Sequence, residues 1–404
     1  MKRVLLVSIA FPPKNDPECL QVARYIKYML KCDIAIDVIT SSIPTLHMPY
    51  DPSLEPYNSR KVEKIEIPIF ETKFTNFLLR KLLPGGIGFP DSKFTFFWQW
   101  KKVARKLKTP PEVIYSRSNP ISSALMAYKL QQYYKVPWVM HLSDPWMGSP
   151  VARYSKQERN FNEKWEGRCF QKAVKISLTT AKALEFYRDR YPEIREKFFL
   201  SPNVFDPETV KDLPLDFNGP LRIVYTGGLA GNRTAAFFLE ACAQAWRENG
   251  ELAKSEIIFA GPIDRKNKKI FDNFRLPFVK HIGNVPYMAA LALQQKAHIL
   301  LTIDQPLADP EYAMFFPSKI LDYFLARRKI LAITDPDSST ELILFPYNAA
   351  IIHYPQIDSL KKFLYLAMNA FRNKDSSFFK AGEFPANFSA EENTSKLVSL
   401  LESL

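Results

Sequence analysis

The sequence predicts an α/β protein built as two doubly wound, Rossmann-like domains that face each other across a cleft. Three observations predict it. The chain has 404 residues, too many for one ordinary core and enough for two domains of roughly 200 residues each. Short, near-continuously apolar β-type runs alternate with amphipathic stretches almost throughout, the pattern of parallel sheets covered on both faces. The alternation breaks once, at the polar, proline-bearing segment NVFDPETVKDLPLDFNGP (203–220), and restarts at LRIVYTGG much as RVLLVSIAFPP began it.

The elements follow in order. MKRVLLVSIAFPP has two basic residues and a short apolar run, but that run ends at Pro12 without a small-residue cleavage site. It reads as a first buried strand rather than a signal peptide. IAIDVIT, EVIYS, VPWVMH and VKISLTT supply the other strands of a first domain, 1–202, with helical patterns at 17–31, 120–134 and 155–172. After a linker at 203–220, a second domain (221–389) has LRIVYTG, SEIIFAG, HILLTI, KILAIT and AAIIH as strands, and 233–248, 286–296 and 317–328 as helices. A last helical pattern, 390–404, is expected to pack near the domain junction. In such sheets a ligand binds outside the carboxyl ends of the strands.

Composition narrows the function classes. No apolar run approaches the ~18 residues needed to span a bilayer. The four cysteines are scattered without paired spacing, which argues against a zinc site or disulfide framework and fits a cytoplasmic protein. Net charge is +13, so anionic partners are expected; with no recognition motif alongside, nucleic acid is not among them. The stretch from Arg60 to Lys108 has twelve Lys or Arg against four Asp or Glu. Within it, KFTNFLLRKLL (73–83) is the segment expected to rest peripherally on an anionic cytoplasmic membrane face. FFWQWKKVARKLK places Phe97, Trp100, Val103, Ala104 and Leu107 on one face and reads as a core-packing helix.

Two motifs carry chemistry. The loop YTGGLAGNR follows the strand that opens the second domain. Gly227, Gly228 and Gly231 let backbone amides approach a ligand there, and Arg233 at the start of the next helix is placed to clamp a phosphate. Glycine is scarce, 13 of 404 residues, so three in five positions stand out. The alternative is a plain strand–helix turn with a solvated arginine. In FFPSKILDYFLARRKILAIT, Ile320, Leu321, Phe324 and Leu325 recur at helical spacing behind Pro317. Lys319 and Asp322, three apart, share a face near the positive end of that helix. Alone, such a pair is a surface contact worth about 0.3 kcal/mol. Opposite the glycine loop, the lysine neutralises a diphosphate and the carboxylate accepts from ribose hydroxyls. GxGxxG and GxxxxGK[ST] are both absent, which disfavours dinucleotide cofactors and P-loop chemistry.

These residues resemble a known family. GGLAGNRTAAFFLEA, IIFAGP…HIGNVPY…HILLTID, FPSKILDYFLARRKILAIT and PWVMHLSDPW look like segments of GT-B glycosyltransferases of the large retaining group called family 4. FPDSKFTFFWQW and LSPNVFD match looser family patterns, and the likeness covers nearly the whole chain. It implies a hexosyl-type transferase that takes a nucleotide-diphosphate sugar as co-substrate, uses no metal or other cofactor, and retains anomeric configuration. The acceptor is a glycan or lipid-linked glycan of the kind found in bacterial surface polysaccharide or glycolipid synthesis. By the resemblance, Arg233 and Lys319 face the donor diphosphate, Asp322 holds the ribose, Gly283 and Asn284 lie at the base, and His141 and Asp144 meet the donor sugar or acceptor.

The sequence also departs from the family. The first carboxylate of the acidic pair falls on Met314, with Glu311 nearby but out of register. The second basic residue of the diphosphate clamp falls on Gly227, and FPPKNDPECLQ lacks the glycine pair after the first strand. A catalytically impaired subunit or scaffold and a nucleotide-sugar epimerase on the same fold are therefore the alternatives. Asp335 and Asp337 form the DxD of metal-dependent GT-A transferases, but the intervening proline favours a turn and helix cap.

Overall fold

The computed structural model describes residues 2–32, 34–42, 48–59, 61–71, 90–148, 154–209, 213–307, 313–383 and 385–404. Predicted segment 73–83 and Glu311 lie outside the described residues. The chain divides into two compact units, Met1–Asp206 with Asn387–Leu404, and Pro207–Ala386.

The first unit holds β1 (Arg3–Val7), β2 (Ala35–Ser41), β3 (Glu63–Ile67), β4 (Val113–Ser118), β5 (Trp138–Leu142), β6 (Lys175–Leu178) and β7 (Phe198–Leu200). They form one parallel sheet in the order β3-β2-β1-β4-β5-β6-β7. Its helices are α1 (Pro17–Met29), α2 (Thr95–Trp98), α3 (Trp100–Lys106), α4 (Ser122–Tyr134), α5 (Lys156–Lys172) and α6 (Ala181–Arg190). Helix starts follow the capping rules: the Asp16 side chain accepts from the Glu18 amide and Pro17 opens α1, while Ser155 and Glu158 form a reciprocal capping box on α5.

The second unit holds β8 (Leu221–Thr226), β9 (Ser255–Ala260), β10 (Val279–His281), β11 (Ile299–Ile303), β12 (Lys329–Thr334) and β13 (Ala350–His353). Between them run α7 (Ala236–Asn249), α8 (Arg265–Phe274), α9 (Tyr287–Lys296), α10 (Lys319–Ala326), α11 (Ser339–Leu344) and α12 (Ile357–Arg372). The parallel order β10-β9-β8-β11-β12-β13 is the 3-2-1-4-5-6 order of dinucleotide-type sheets, which reverses direction between β8 and β11. Ile223, Tyr225, Ile257, Phe259, Leu301 and Ile333 build its core.

Two boundaries differ from the expectation. The linker is shared between the units: Gln21 and Arg24 of α1 bind the Val204 carbonyl, whereas Leu215 and Phe217 pack on the core of the second unit. Helix α13 (Ala390–Ser403) belongs to the first unit, where Ala390, Leu397, Val398 and Leu401 join Val22, Tyr25 and Met29 of α1 in one core. A strand-like bridge at Phe205 and Ser389 aligns the two crossing segments, with the Phe205 amide donating to the Phe388 carbonyl at 2.9 Å.

Candidate functional site

The carboxyl ends of β8, β9 and β10 carry Gly227, Gly261 and Gly283, all with positive φ (117°, 142° and 73°). Backbone bonds tie the three loops together. The Gly227 amide donates to the Ala260 carbonyl and the Gly261 amide to the Gly283 carbonyl, both at 2.8 Å. The Leu229 amide donates to Pro262, and the Gly231 amide to the Asp264 carboxylate at 2.8 Å. The amides of Gly227 and Gly231 are therefore engaged within the chain. What the glycines supply is bare backbone and close approach: a Cβ on Gly261 would lie 2.2 Å from the Gly227 carbonyl oxygen, a separation no side chain tolerates. Gly228 sits against Pro262 and accepts from the Tyr225 hydroxyl. Asn284 is exposed in the loop that leads into α9.

Helix α10 is seated by Tyr323. Its hydroxyl donates to the Leu301 carbonyl at 2.9 Å and accepts from the Thr226 amide at 3.1 Å, which binds the helix to β11 and β8 together. Lys319 stands one turn earlier on the same face, so its side chain is delivered to the end of β8. The ammonium lies 3.6 Å from the centre of the Tyr225 ring, and the stem runs against Gly227. Cation–π contact of this kind holds the ammonium without neutralising it. Burial, and then the neighbouring Arg233 guanidinium, push its pKa well below the lysine range, while Asp304 pulls it up.

Arg233 lies three residues ahead of α7 rather than on its first turn. Its Nε is buried with no hydrogen-bond partner. Arg233 and Lys319 are half-buried. Among more deeply buried cations Arg117 is matched by Glu18, Lys93 by Glu71 and Lys14 by Thr40 and Ser41, while Arg328 binds the Leu213 and Gln295 carbonyls with its Nε, like that of Arg233, left unbonded. Among the described residues neither Arg233 nor Lys319 has an ion-pair partner. An unmatched buried donor is costly, and an anion arriving from solvent removes that cost.

Asp304, just past β11, completes the cluster and was not picked out by the sequence. Its Oδ2 accepts from the Thr334 hydroxyl at 2.8 Å. Burial raises its pKa, and Arg233 and Lys319 oppose the rise. Strand position was the available signal: TIDQP puts a carboxylate on the first residue after an apolar strand. Gly227 just past β8 and Asp304 just past β11 flank the point where strand order reverses, the general ligand position of open α/β sheets.

Asp322 separates from Lys319. It is 7% exposed and accepts from the Tyr287 hydroxyl of α9 at 3.1 Å, so the pair is not the surface contact that spacing alone allows. Met314, at the position of the family's first carboxylate, is 1% exposed and apolar. Asp335 accepts from the Leu307 amide, and Asp337, in the left-handed region, precedes the Ser338 cap of α11. The DxD is thus a turn and cap.

The other two predicted residues lie in the first unit. Asp144 follows β5 and accepts from the Asn119 amide group at 2.8 Å. His141 lies within β5, not at its end, and is fully buried between its register partners Arg117 and Ser177. Its Nδ1 is 2.9 Å from the Ser177 hydroxyl, and burial, reinforced by Arg117, holds the ring neutral. Near these, sequence reasoning missed Asp16, whose carboxyl is pushed up to about 6 by burial with help from Glu18 and Asp144.

No family model and no curated protein matches this chain. Solved structures do. Sucrose-phosphate synthase from Thermosynechococcus elongatus aligns with TM-score 0.66 at 13% identity, covering 100% of this chain and 99% of that one. WaaG, a glycosyltransferase involved in lipopolysaccharide biosynthesis, aligns at 0.60 and 12%, covering 99% of each. A protein of Listeria monocytogenes described as a UDP-N-acetylglucosamine 2-epimerase aligns at 0.63 and 11%, covering 100% and 96%. At such identity the likeness carries the fold: two Rossmann-like units, as in GT-B glycosyltransferases.

Proposed function

We propose that the chain transfers a sugar from a nucleotide-diphosphate donor to a hydroxyl of a glycan or lipid-linked acceptor. One observation carries the reading: two cations without ion-pair partners among the described residues, Arg233 and Lys319, gathered beside bare glycine backbone at the switch point of the second sheet. In the reaction the bond from anomeric carbon to phosphate oxygen breaks, and negative charge grows on the departing diphosphate. Preorganised cations in a partly dry site stabilise that charge. The acceptor oxygen bonds to the anomeric carbon, and its proton passes to a phosphate oxygen of the leaving group. Asp322, held by Tyr287, accepts from the ribose, and the Gly283–Asn284 loop borders the base. Asp144 orients the acceptor; enclosed His141 supports the end of β5 rather than touching substrate.

Retention of configuration and independence of metal belong to the same proposal, together with a cytoplasmic, membrane-face setting that the basic first unit favours. The test is release of nucleoside diphosphate from UDP- and GDP-sugars, with EDTA present, across glycan and lipid-linked acceptors. Acceptor-dependent release that Lys319→Met abolishes supports the reading, and NMR of the product anomer reads retention. An isomerised sugar nucleotide formed from donor alone would replace it with the epimerase reading, which the Listeria likeness favours. Binding without turnover would point to the scaffold reading, which buried Met314 favours.

A further inference from the structure

Of the face expected to pack inward around helix α3, Val103 is fully buried and Phe97, Trp100, Ala104 and Leu107 are half-buried. Its contact is with the end of α4, where Trp100 meets Tyr133 edge-on at 6.1 Å and the Tyr134 hydroxyl donates to the Ala104 carbonyl at 3.0 Å. The cations of the helix face water. Lys101, Lys102, Arg105 and Lys106 are all exposed, and Lys108 follows them. At 100° per residue Lys101 and Arg105 lie opposite Val103, with Lys102 and Lys106 on its flank. None of the four has an ion-pair partner among the described residues; Lys108 alone is matched, by Glu63 at 2.6 Å. From Ser92 to Pro111 the sequence has six Lys or Arg and no Asp or Glu.

Aromatic rings border this face. Phe70 is 67% exposed, Trp98 50% and Tyr133 58%. Phe70 is tied to α2 through its amide, which donates to the Thr95 hydroxyl at 3.1 Å. Trp98 packs edge-on against Phe94 at 4.8 Å, so its ring is braced yet half in water. Exposed Trp and Tyr beside unpaired cations are what the water–lipid interface selects, since those rings are apolar in body and polar at the tip. Nucleic acid shares the charge preference and stacks bases on rings, but no recognition motif accompanies the charge in this sequence.

We infer that the outward face of α3, with Phe70, Trp98 and Tyr133 around it, docks on an anionic lipid bilayer surface. The cations meet lipid phosphates and the rings enter the headgroup layer, while the helix stays packed on α4 and does not insert. This surface lies wholly in the first unit and uses none of the donor-site residues. Its test needs neither donor nor acceptor, so its failure is distinguishable from failure of the transfer reading.

The experiment is vesicle co-sedimentation of the full chain with phosphatidylcholine containing phosphatidylglycerol, against phosphatidylcholine alone. Wild type is expected to bind the anionic vesicles and to release them as salt rises. Each cation near such a surface contributes about fivefold to partitioning, so the triple variant Lys102→Gln, Arg105→Gln, Lys106→Gln should lose about a hundredfold. Its circular dichroism and sugar-nucleotide binding should stay as in wild type. Trp98→Phe should remove the blue shift of tryptophan fluorescence that vesicles induce in wild type. Equal binding by wild type and the triple variant would overturn the inference. So would indifference to lipid charge, or binding to double-stranded RNA with none to vesicles.

Discussion

Replacing Gly261 by alanine places a methyl carbon 2.2 Å from the Gly227 carbonyl oxygen and 2.5 Å from its carbonyl carbon. Ordinary contacts begin near about 3.4 Å, so the loops after β8 and β9 must part by about 1 Å. That movement loosens the Gly227 amide on Ala260 and the Gly261 amide on Gly283, both 2.8 Å in the native chain. Each bond contributes about 1 kcal/mol net, and a side chain at φ 142° adds about 1–3 kcal/mol of strain. The total is about 4 kcal/mol. Urea unfolding followed by circular dichroism measures it, and calorimetry with UDP measures the site, which should weaken because Lys319 rests on Gly227. Gly231→Ala is the control: its φ is 64° and nothing lies within 4 Å of the new carbon, so only about 1–2 kcal/mol of left-handed strain is expected. If Gly261→Ala were as stable as Gly231→Ala and bound UDP like wild type, the bare-backbone account of the site would be wrong.

Three further outcomes are expected. Lys319 has a depressed pKa in the empty site and a diphosphate raises it, so binding takes up a proton across the window between the two values and affinity falls as pH rises through it; calorimetric heats should vary with buffer ionisation enthalpy, and Lys319→Met should remove the variation. Asp304→Asn removes a buried carboxylate facing the same cations and should tighten diphosphate binding about fivefold near neutral pH, whereas weaker binding would mean that Asp304 organises the cations rather than opposing the ligand. Asp16 has its folded pKa raised from 3.8 to about 6, so its contribution is full below pH 4 and is lost as pH rises through 6. Asp16→Asn keeps the α1 cap and should stabilise the chain by about 2 kcal/mol at pH 8 but not at pH 4, as urea titrations at the two values would read.

Local chemistry was legible in the sequence where one segment contains it. Gly227, Gly228, Arg233 and Lys319 each sit in a strand–loop–helix unit whose pattern lies within about 20 residues, and these units fixed their place at strand ends. Asp304 was marked only by its place after an apolar strand, and its role, like that of Tyr225, depends on β8 lying beside β11, a pairing of Ile223 with Ile299 that no local pattern encodes. Asp322 looked like half of a surface pair because its partner Tyr287 is 35 residues away in sequence. His141 is one residue short of the strand end, and pleat alternation sets it beside Arg117 instead of solvent. The face of α3 was legible because helical periodicity shows which residues turn inward together: Phe97, Trp100, Val103, Ala104 and Leu107 are buried or half-buried while the cations of the helix are exposed. Helix α13 carried an apolar face with nothing to say which unit it would complete.

The central claim is that Arg233 and Lys319 together hold the diphosphate of a sugar nucleotide. Isothermal calorimetry of UDP- and GDP-sugars against wild type, Lys319→Met and Arg233→Met tests it most directly, because each charge-assisted contact contributes about 1.5–3 kcal/mol and its loss weakens binding by about ten- to a hundredfold. The account predicts that at least one of these sugar nucleotides binds wild type, that each substitution weakens it by that factor, and that the nucleoside without phosphates binds all three proteins equally. Undiminished sugar-nucleotide binding by both variants would contradict it.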